Sequence, residues 1–282
     1  MTEHHTPAVL ASSGTFVGMP NGRNIRLLEE ILPALEADGM ELMLYDSWYS
    51  SLPEIVRYVK SLQGYFPVLH AEKSIGMLLG RDEPGDYVHA LELFRQNAWA
   101  AAEVGAKKMV LHLWNGPVLD THIEKNLSAF GDLQEIAREY GQELTVENVV
   151  CHGLAPDAPL CYLADLRRAY PDATFTYDLK MAEFHGQNAL VWKKEWQFLW
   201  EAGVVTHLHV SDYAGGLMDF AHLRTRHLGE GHIDFVSFFQ HYNRTPGCDT
   251  LTLEPICFRE DGSVDVAAMN RDIRRVRELL TL

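Results

Sequence analysis

A single closed (β/α)8 barrel is the fold class this sequence predicts. Three observations predict it. Eight short β-rich runs alternate with helical patterns from end to end. The length, 282 residues, suits one such barrel. No linker-like change in composition interrupts the alternation, so residues 1–282 read as one domain with an inserted loop at about 212–232. The runner-up is an open doubly wound sheet. That fold usually carries a glycine-rich phosphate turn after its first strand, and Ser12–Gly18, "SSGTFVG", does not fit G-x-G-x-x-G.

In chain order, strands are expected near Ala8–Ser12, Glu41–Tyr45, Pro67–His70, Lys108–Leu113, Glu143–Asn148, Thr174–Asp178, Val205–Ser211 and Thr250–Glu254. Each is a short apolar or β-branched run. Between them, apolar residues recur with helical period over Asn24–Ala37, Asp86–Val104, Asp120–Tyr140, Asn188–Ala202 and Val264–Leu280. Gly39, Gly105, Gly141 and Gly203 stand where helices should close. Lys107 and Lys108 read as a solvated turn. Trp192, Trp196, Leu199 and Trp200 share helical spacing and read as core packing, with a contact between copies in a homo-oligomer as the alternative.

Composition narrows the function. The chain is 47% hydrophobic and 22% charged, ordinary for a globular protein. Its net charge of -15 argues against a nucleic-acid partner, which usually needs a basic face. The start, "MTEHHTPAVLASSG", lacks a basic region followed by a long apolar run, so no signal peptide is expected. No stretch approaches the roughly 20 apolar residues of a membrane span. Cys151, Cys161, Cys248 and Cys257 form no C-x-x-C pair and read as reduced thiols of a cytoplasmic protein.

The inward-facing side chains carry the chemistry. Side chains alternate along a strand, so His207, His209 and Ser211 share one face, and Leu208 and Val210 the other. Thr145 and Glu147, Thr174, Thr176 and Asp178, and Thr250, Thr252 and Glu254 split from apolar neighbours in the same way. So do Val110, His112 and Trp114. The fifth to eighth strands thus each end in an inward Glu147, Asp178, His209 or Glu254. The intervals are 31 residues (147 to 178), 31 (178 to 209) and 45 (209 to 254, which includes the inserted loop). A barrel unit averages about 31 residues, so these groups are expected at one height, at the strand ends where barrel enzymes hold their sites. Parallel strands are buried on both faces and normally apolar. Three carboxylates gathered there would repel one another unless neutralised. One divalent metal ion is the expected partner. The oxygen-rich set suits Mn²⁺ or Mg²⁺ and tolerates Co²⁺ or Zn²⁺, with open positions for substrate oxygens.

These residues resemble the xylose isomerase-like barrel superfamily, which includes ketose 3-epimerases, hydroxypyruvate isomerases, inosose dehydratases and endonuclease IV. The resemblance covers most of the chain. It rests on "VLH" at His70, "LHLWNG" at His112, "TVEN" at Glu147, "YDLKM" at Asp178, "LHVSD" at His209, "RHLGEGHIDF" from Arg226 and "LTLEP" at Glu254. Their order, one per strand, makes the set specific. The resemblance implies a metal held by Glu147, Asp178, His209 and Glu254, and two glutamates acting as acid and base. The endonuclease branch needs a histidine where this chain has Met181, and an Asp-x-His where it has Thr225-Arg226-His227.

The function expected is a divalent-metal-dependent isomerase or epimerase of a sugar, sugar phosphate or keto-polyol. It would move a proton next to a carbonyl through a metal-stabilised enediolate, with Glu147 and Glu254 as the acid–base pair. His70, His112, Trp114, Arg226 and His227 are the expected substrate contacts. His185 is a possible stand-in for the missing histidine. The loop after Asp212 is an expected lid. The alternatives are an inosose dehydratase-like lyase, an endonuclease IV-like phosphodiesterase, and a sugar-binding barrel without turnover.

Overall fold

The computed structural model describes residues 6–81, 83–114, 122–152 and 157–282. Outside them lie the first five residues, Asn115 and Gly116 of the "LHLWNG" motif, and Asp120 at the start of an expected helix. Eight strands close into a barrel in chain order: β1 (Ala8–Ser12), β2 (Gly39–Met43), β3 (Val68–His70), β4 (Lys108–Leu111), β5 (Glu143–Glu147), β6 (Thr174–Asp178), β7 (Val205–Val210) and β8 (Thr250–Leu253). Helices surround them, and the (β/α)8 fold expected from the alternation is the fold observed. Among the described residues no helix is long and apolar enough to cross a membrane. The four cysteines form no disulfide. The chain divides into two compact units.

One unit holds the described residues up to Leu42, Leu62–Tyr65 and Tyr177–Leu282. In it β1 pairs in parallel with β2, Ser12 opposite Glu41, and with β8, Leu10 opposite Thr252. β8 also pairs with β7, setting His207 beside Thr250 and His209 beside Thr252. The helix Val266–Leu279 buries Met269, Ile273 and Val276, and Asp265 caps it by accepting from the Ala268 N–H. Each buried aliphatic side chain of this kind contributes about 1.5–3 kcal/mol.

Two expected helices fail in this unit. Asn24–Ala37 breaks into a 3-10 turn at Ile25–Leu27, one α turn at Leu28–Ile31 and a second 3-10 turn at Leu32–Ala34. Pro33 lacks a donor and its ring obstructs a continuous α-helix. Within Asn188–Ala202 only a 3-10 run, Lys194–Trp200, forms. Ring packing decides there. Trp192 stacks on Trp200 at 4.5 Å and lies 5.3 Å from Phe238, while the Trp200 indole donates to the Val191 carbonyl at 3.1 Å.

The other unit holds Met43–Ser61 and Phe66–Thr176. β4 pairs with β3, Val110 opposite His70, and with β5, Val110 opposite Thr145. β5 pairs with β6, Glu147 opposite Thr176. The helix Asp86–Val104 has the expected bounds and ends at Gly105, whose φ of 85° suits glycine. Gly76, in the helix Ser74–Arg81, lets that helix meet the chain leaving β4: a Cβ there would lie 2.2 Å from the His112 carbonyl oxygen. Lys108 is not a solvated turn residue. It opens β4, is buried, and its ammonium lies 3.8 Å from the Glu143 carboxylate.

The inserted loop is tied at its base by one carboxylate. Asp212 Oδ1 accepts from the N–H of Tyr213 (2.8 Å) and Ile233 (3.1 Å), and Oδ2 from the N–H of Gly229 (2.8 Å) and Gly231 (2.9 Å). An antiparallel bridge joins Asp212 to Arg226. Gly231 is required by this closeness, because a Cβ would lie 2.2 Å from the Tyr213 carbonyl and 2.4 Å from Asp212 Oδ1. Asp212→Asn swaps one accepting oxygen for a donor facing two N–H groups. Each orphaned donor costs about 1–3 kcal/mol. The expected result is a loss of about 2–6 kcal/mol in urea unfolding, with faster proteolysis within 213–231; unchanged stability would contradict it.

Candidate active site

In the first unit three acceptor-bearing side chains converge. Asp178, the last residue of β6, is fully buried, and its Oδ1 accepts from the Met181 N–H at 2.9 Å, capping the helix Leu179–Phe184. His209, on β7, is fully buried. Glu254 follows β8, with its side chain 13% exposed. One ligand atom from each of these three lies within 4.8 Å of the others. His209 Nδ1 is 3.6 Å from Glu254 Oε2. The inward alternation read from the sequence places all three.

Beneath them lies a group that sequence reasoning missed. Glu41 on β2 is completely buried, and its Oε2 accepts from His207 Nε2 (3.0 Å), His209 Nε2 (3.2 Å) and Thr252 Oγ1 (2.7 Å). Burial pushes the Glu41 carboxyl up, but the His209 and His207 imidazoles outweigh it and hold it well below the usual carboxylate range. His207, read from the sequence as a hydrogen-bonded core residue, is one: its Nδ1 accepts from the Thr250 hydroxyl at 2.7 Å. The signal for Glu41 was a charge between Met40 and Leu42 in a strand buried on both faces. The expected strand began at Glu41, whereas the observed one is centred on it.

In the second unit Glu147 ends β5 and is 1% exposed. Its Oε2 lies 3.0 Å from His112 Nε2 and 3.4 Å from His70 Nε2. Burial pulls His112 down to about 4, against the pull of the Glu147 charge, so its ring is neutral at pH 7 and donates an ordinary hydrogen bond. His70 Nδ1 meets the Ala71 carbonyl at 2.9 Å, which fixes the ring.

The remaining expected contacts engage the chain itself. Trp114 is buried, its indole donates to the Val149 carbonyl at 2.8 Å, and its ring meets Tyr162 edge-on at 5.4 Å. The Arg226 backbone forms the bridge to Asp212. His227 Nδ1 is 2.6 Å from Asp272 Oδ2, on the helix Val266–Leu279. Met181 and His185 are both buried, and burial draws His185 down to about 4.

No protein-family model matches the sequence. The uncharacterized protein MJ1311 of Methanocaldococcus jannaschii is 26% identical over 219 residues, 72% of this chain and 69% of that one. The likeness to solved structures reaches over nearly the whole chain. The structure of a D-tagatose 3-epimerase-like protein matches at a TM-score of 0.71 and 19% identity, covering 97% of this chain and 98% of that one. The likeness shows a shared (β/α)8 barrel fold. The D-allulose 3-epimerase of Methylomonas sp., solved in complex with D-allulose, matches at 0.69 and 14%, covering 97% of each chain. The IOLI protein with a bound zinc atom matches at 0.68 and 16%, covering 97% of this chain and 98% of that one.

The His227–Asp272 pair has a pH signature. Its hydrogen bond to Asp272 outweighs burial and raises His227 above the ordinary 6.5. A raised folded-state value gives stability that is full below about 6.5 and is lost as pH climbs through the folded value. Asp272→Asn is therefore expected to cost more stability at pH 5.5 than at pH 9 in urea titrations. An equal cost at both would show that the histidine does not titrate against Asp272.

Proposed function

We propose that this protein is a divalent-metal-dependent sugar isomerase or epimerase. The observation that carries the reading is the convergence of fully buried Asp178 and His209 with Glu254, whose side chain is 13% exposed, their ligand atoms lying within 4.8 Å of one another. Two unit charges at that separation repel by about 3–4 kcal/mol at an effective dielectric of ~20. A divalent cation reverses the sign of that term. The donor set, two carboxylates and one imidazole, fits Mn²⁺, Mg²⁺, Co²⁺ or Zn²⁺. Glu147 is the fourth proposed ligand, on the strength of the sequence resemblance. The bound zinc of the similar IOLI barrel and the sugar in the similar allulose epimerase support the same reading.

When bound, the cation supplies Lewis-acid polarisation of a carbonyl and a template for two substrate oxygens. The proteins' own groups handle the proton. One glutamate of the pair Glu147 and Glu254 takes a proton from the carbon next to the carbonyl, and the freed electron pair moves toward the carbonyl oxygen as an enediolate. The other glutamate returns a proton to carbon. Glu254, partly exposed, is open to substrate. Glu147 is fully buried, and His112 holds its orientation. Neutral His112 is placed to orient Glu147 with its one N–H without becoming an acid at pH 7. Substrate roles for Trp114, Arg226 and His227 rest on the sequence resemblance.

The test is deuterium wash-in from heavy water over a panel of ketoses with Mn²⁺ added. Wild type is expected to incorporate one deuterium into its substrate without other change of mass. Glu254→Gln is expected to slow this by about 10²–10⁴-fold with its melting temperature preserved. Wild-type loss of water would indicate a lyase, and no uptake on any sugar would indicate a binding barrel; near-wild-type exchange by Glu254→Gln would refute the two-glutamate scheme.

A further inference from the structure

We propose that Glu41 is a positioning residue that makes His209 a metal ligand through Nδ1, by holding its proton on Nε2. This rests on the cation reading above and adds a residue to it. A carboxylate oxygen accepts and never donates. Glu41 Oε2 meets three groups at hydrogen-bond distance, His207 Nε2, His209 Nε2 and Thr252 Oγ1, at 3.0, 3.2 and 2.7 Å. All three must therefore donate. For His207 the second ring atom agrees, because its Nδ1 accepts from the Thr250 hydroxyl at 2.7 Å. For His209 the same assignment directs Nδ1 toward the carboxylates, 3.6 Å from Glu254 Oε2. The reverse tautomer would set a bare Nε2 against an ionised oxygen at 3.2 Å inside the barrel.

The arrangement is built by strand register. His207 stands opposite Thr250 and His209 opposite Thr252, so two histidines and two threonines occupy adjacent layers of β7 and β8. Glu41 reaches them from β2, and all of these side chains except Thr250, at 9%, are fully buried. Thr250 and Thr252, inward residues with no part in the proton transfer, thereby acquire a role. Hydrogen bonding of a ligand histidine to a carboxylate fixes its tautomer and ring angle and raises its basicity, and losing such a partner typically weakens metal binding about 10–100-fold.

Two measurements test it. Long-range ¹H–¹⁵N NMR of metal-free wild type at neutral pH, with His209 assigned by its absence from the His209→Asn spectrum, is expected to show a proton on Nε2. A His209 ring protonated only on Nδ1 would overturn the proposal, whether or not a metal binds. Titration calorimetry with Mn²⁺ and with Zn²⁺ then compares wild type with Glu41→Gln, alongside their metal-free melting temperatures. A roughly 10–100-fold weaker affinity in the variant is expected. Equal affinities with a lowered melting temperature would mean that Glu41 is only structural, and would overturn the proposal. If wild type binds neither cation, the metal reading fails, while the tautomer measurement still decides what Glu41 does to His209; the same measurement decides if Glu41→Gln does not fold.

Discussion

The constraint on which the site depends is electrostatic. Asp178 and Glu254 bring two carboxylates to the ends of β6 and β8, the strands that flank β7 in the barrel order, and the His209 imidazole of β7 lies within 4.8 Å of both. Asp178 and His209 are fully buried. A barrel interior of this kind is normally filled by branched aliphatic residues. Placing anionic oxygens there is unfavourable unless something positive accompanies them. A protonated histidine can offset one charge, and a divalent ion offsets both while tolerating the fixed directions of the side chains. The site reading follows from that comparison of charges.

Backbone geometry does the positioning. Each group stands within one residue of the C-terminal end of a strand, so the pairing register that builds the sheet also sets the heights of these side chains. The supporting layer works the same way, since the His207–Thr250 and His209–Thr252 register places donors around Glu41. In the second unit, Glu147 accepts from His112, the residue after β4. Asp212, two residues past the end of β7, gathers four N–H groups and pins the inserted loop. The loop is thus anchored at both ends of its base.

Much of this was legible in the sequence because strands have a period of two and the chain repeats one unit eight times. Ala8–Ser12 and Thr174–Asp178 have their expected bounds, and Asp178, His209 and Glu254 share one cluster as their spacing implied. What was not legible depended on partners distant in sequence. Glu41 is separated by 166 residues from His207, and no local pattern announces that pairing. The Asn188–Ala202 segment keeps helical spacing of its tryptophans, yet stacking of Trp192 on Trp200 draws it into a 3-10 path. Nor does the sequence pattern report that the Trp114 indole donates to the Val149 carbonyl or that His227 meets Asp272.

The central claim is that a cation resolves the crowding of buried acceptors. Anomalous diffraction from crystals soaked in Mn²⁺ tests it most directly. A single strong peak within about 2.0–2.3 Å of Asp178, His209 Nδ1 and Glu254 is the result expected. Saturating Mn²⁺ that leaves this position without a peak, or that appears only among surface carboxylates, would contradict it.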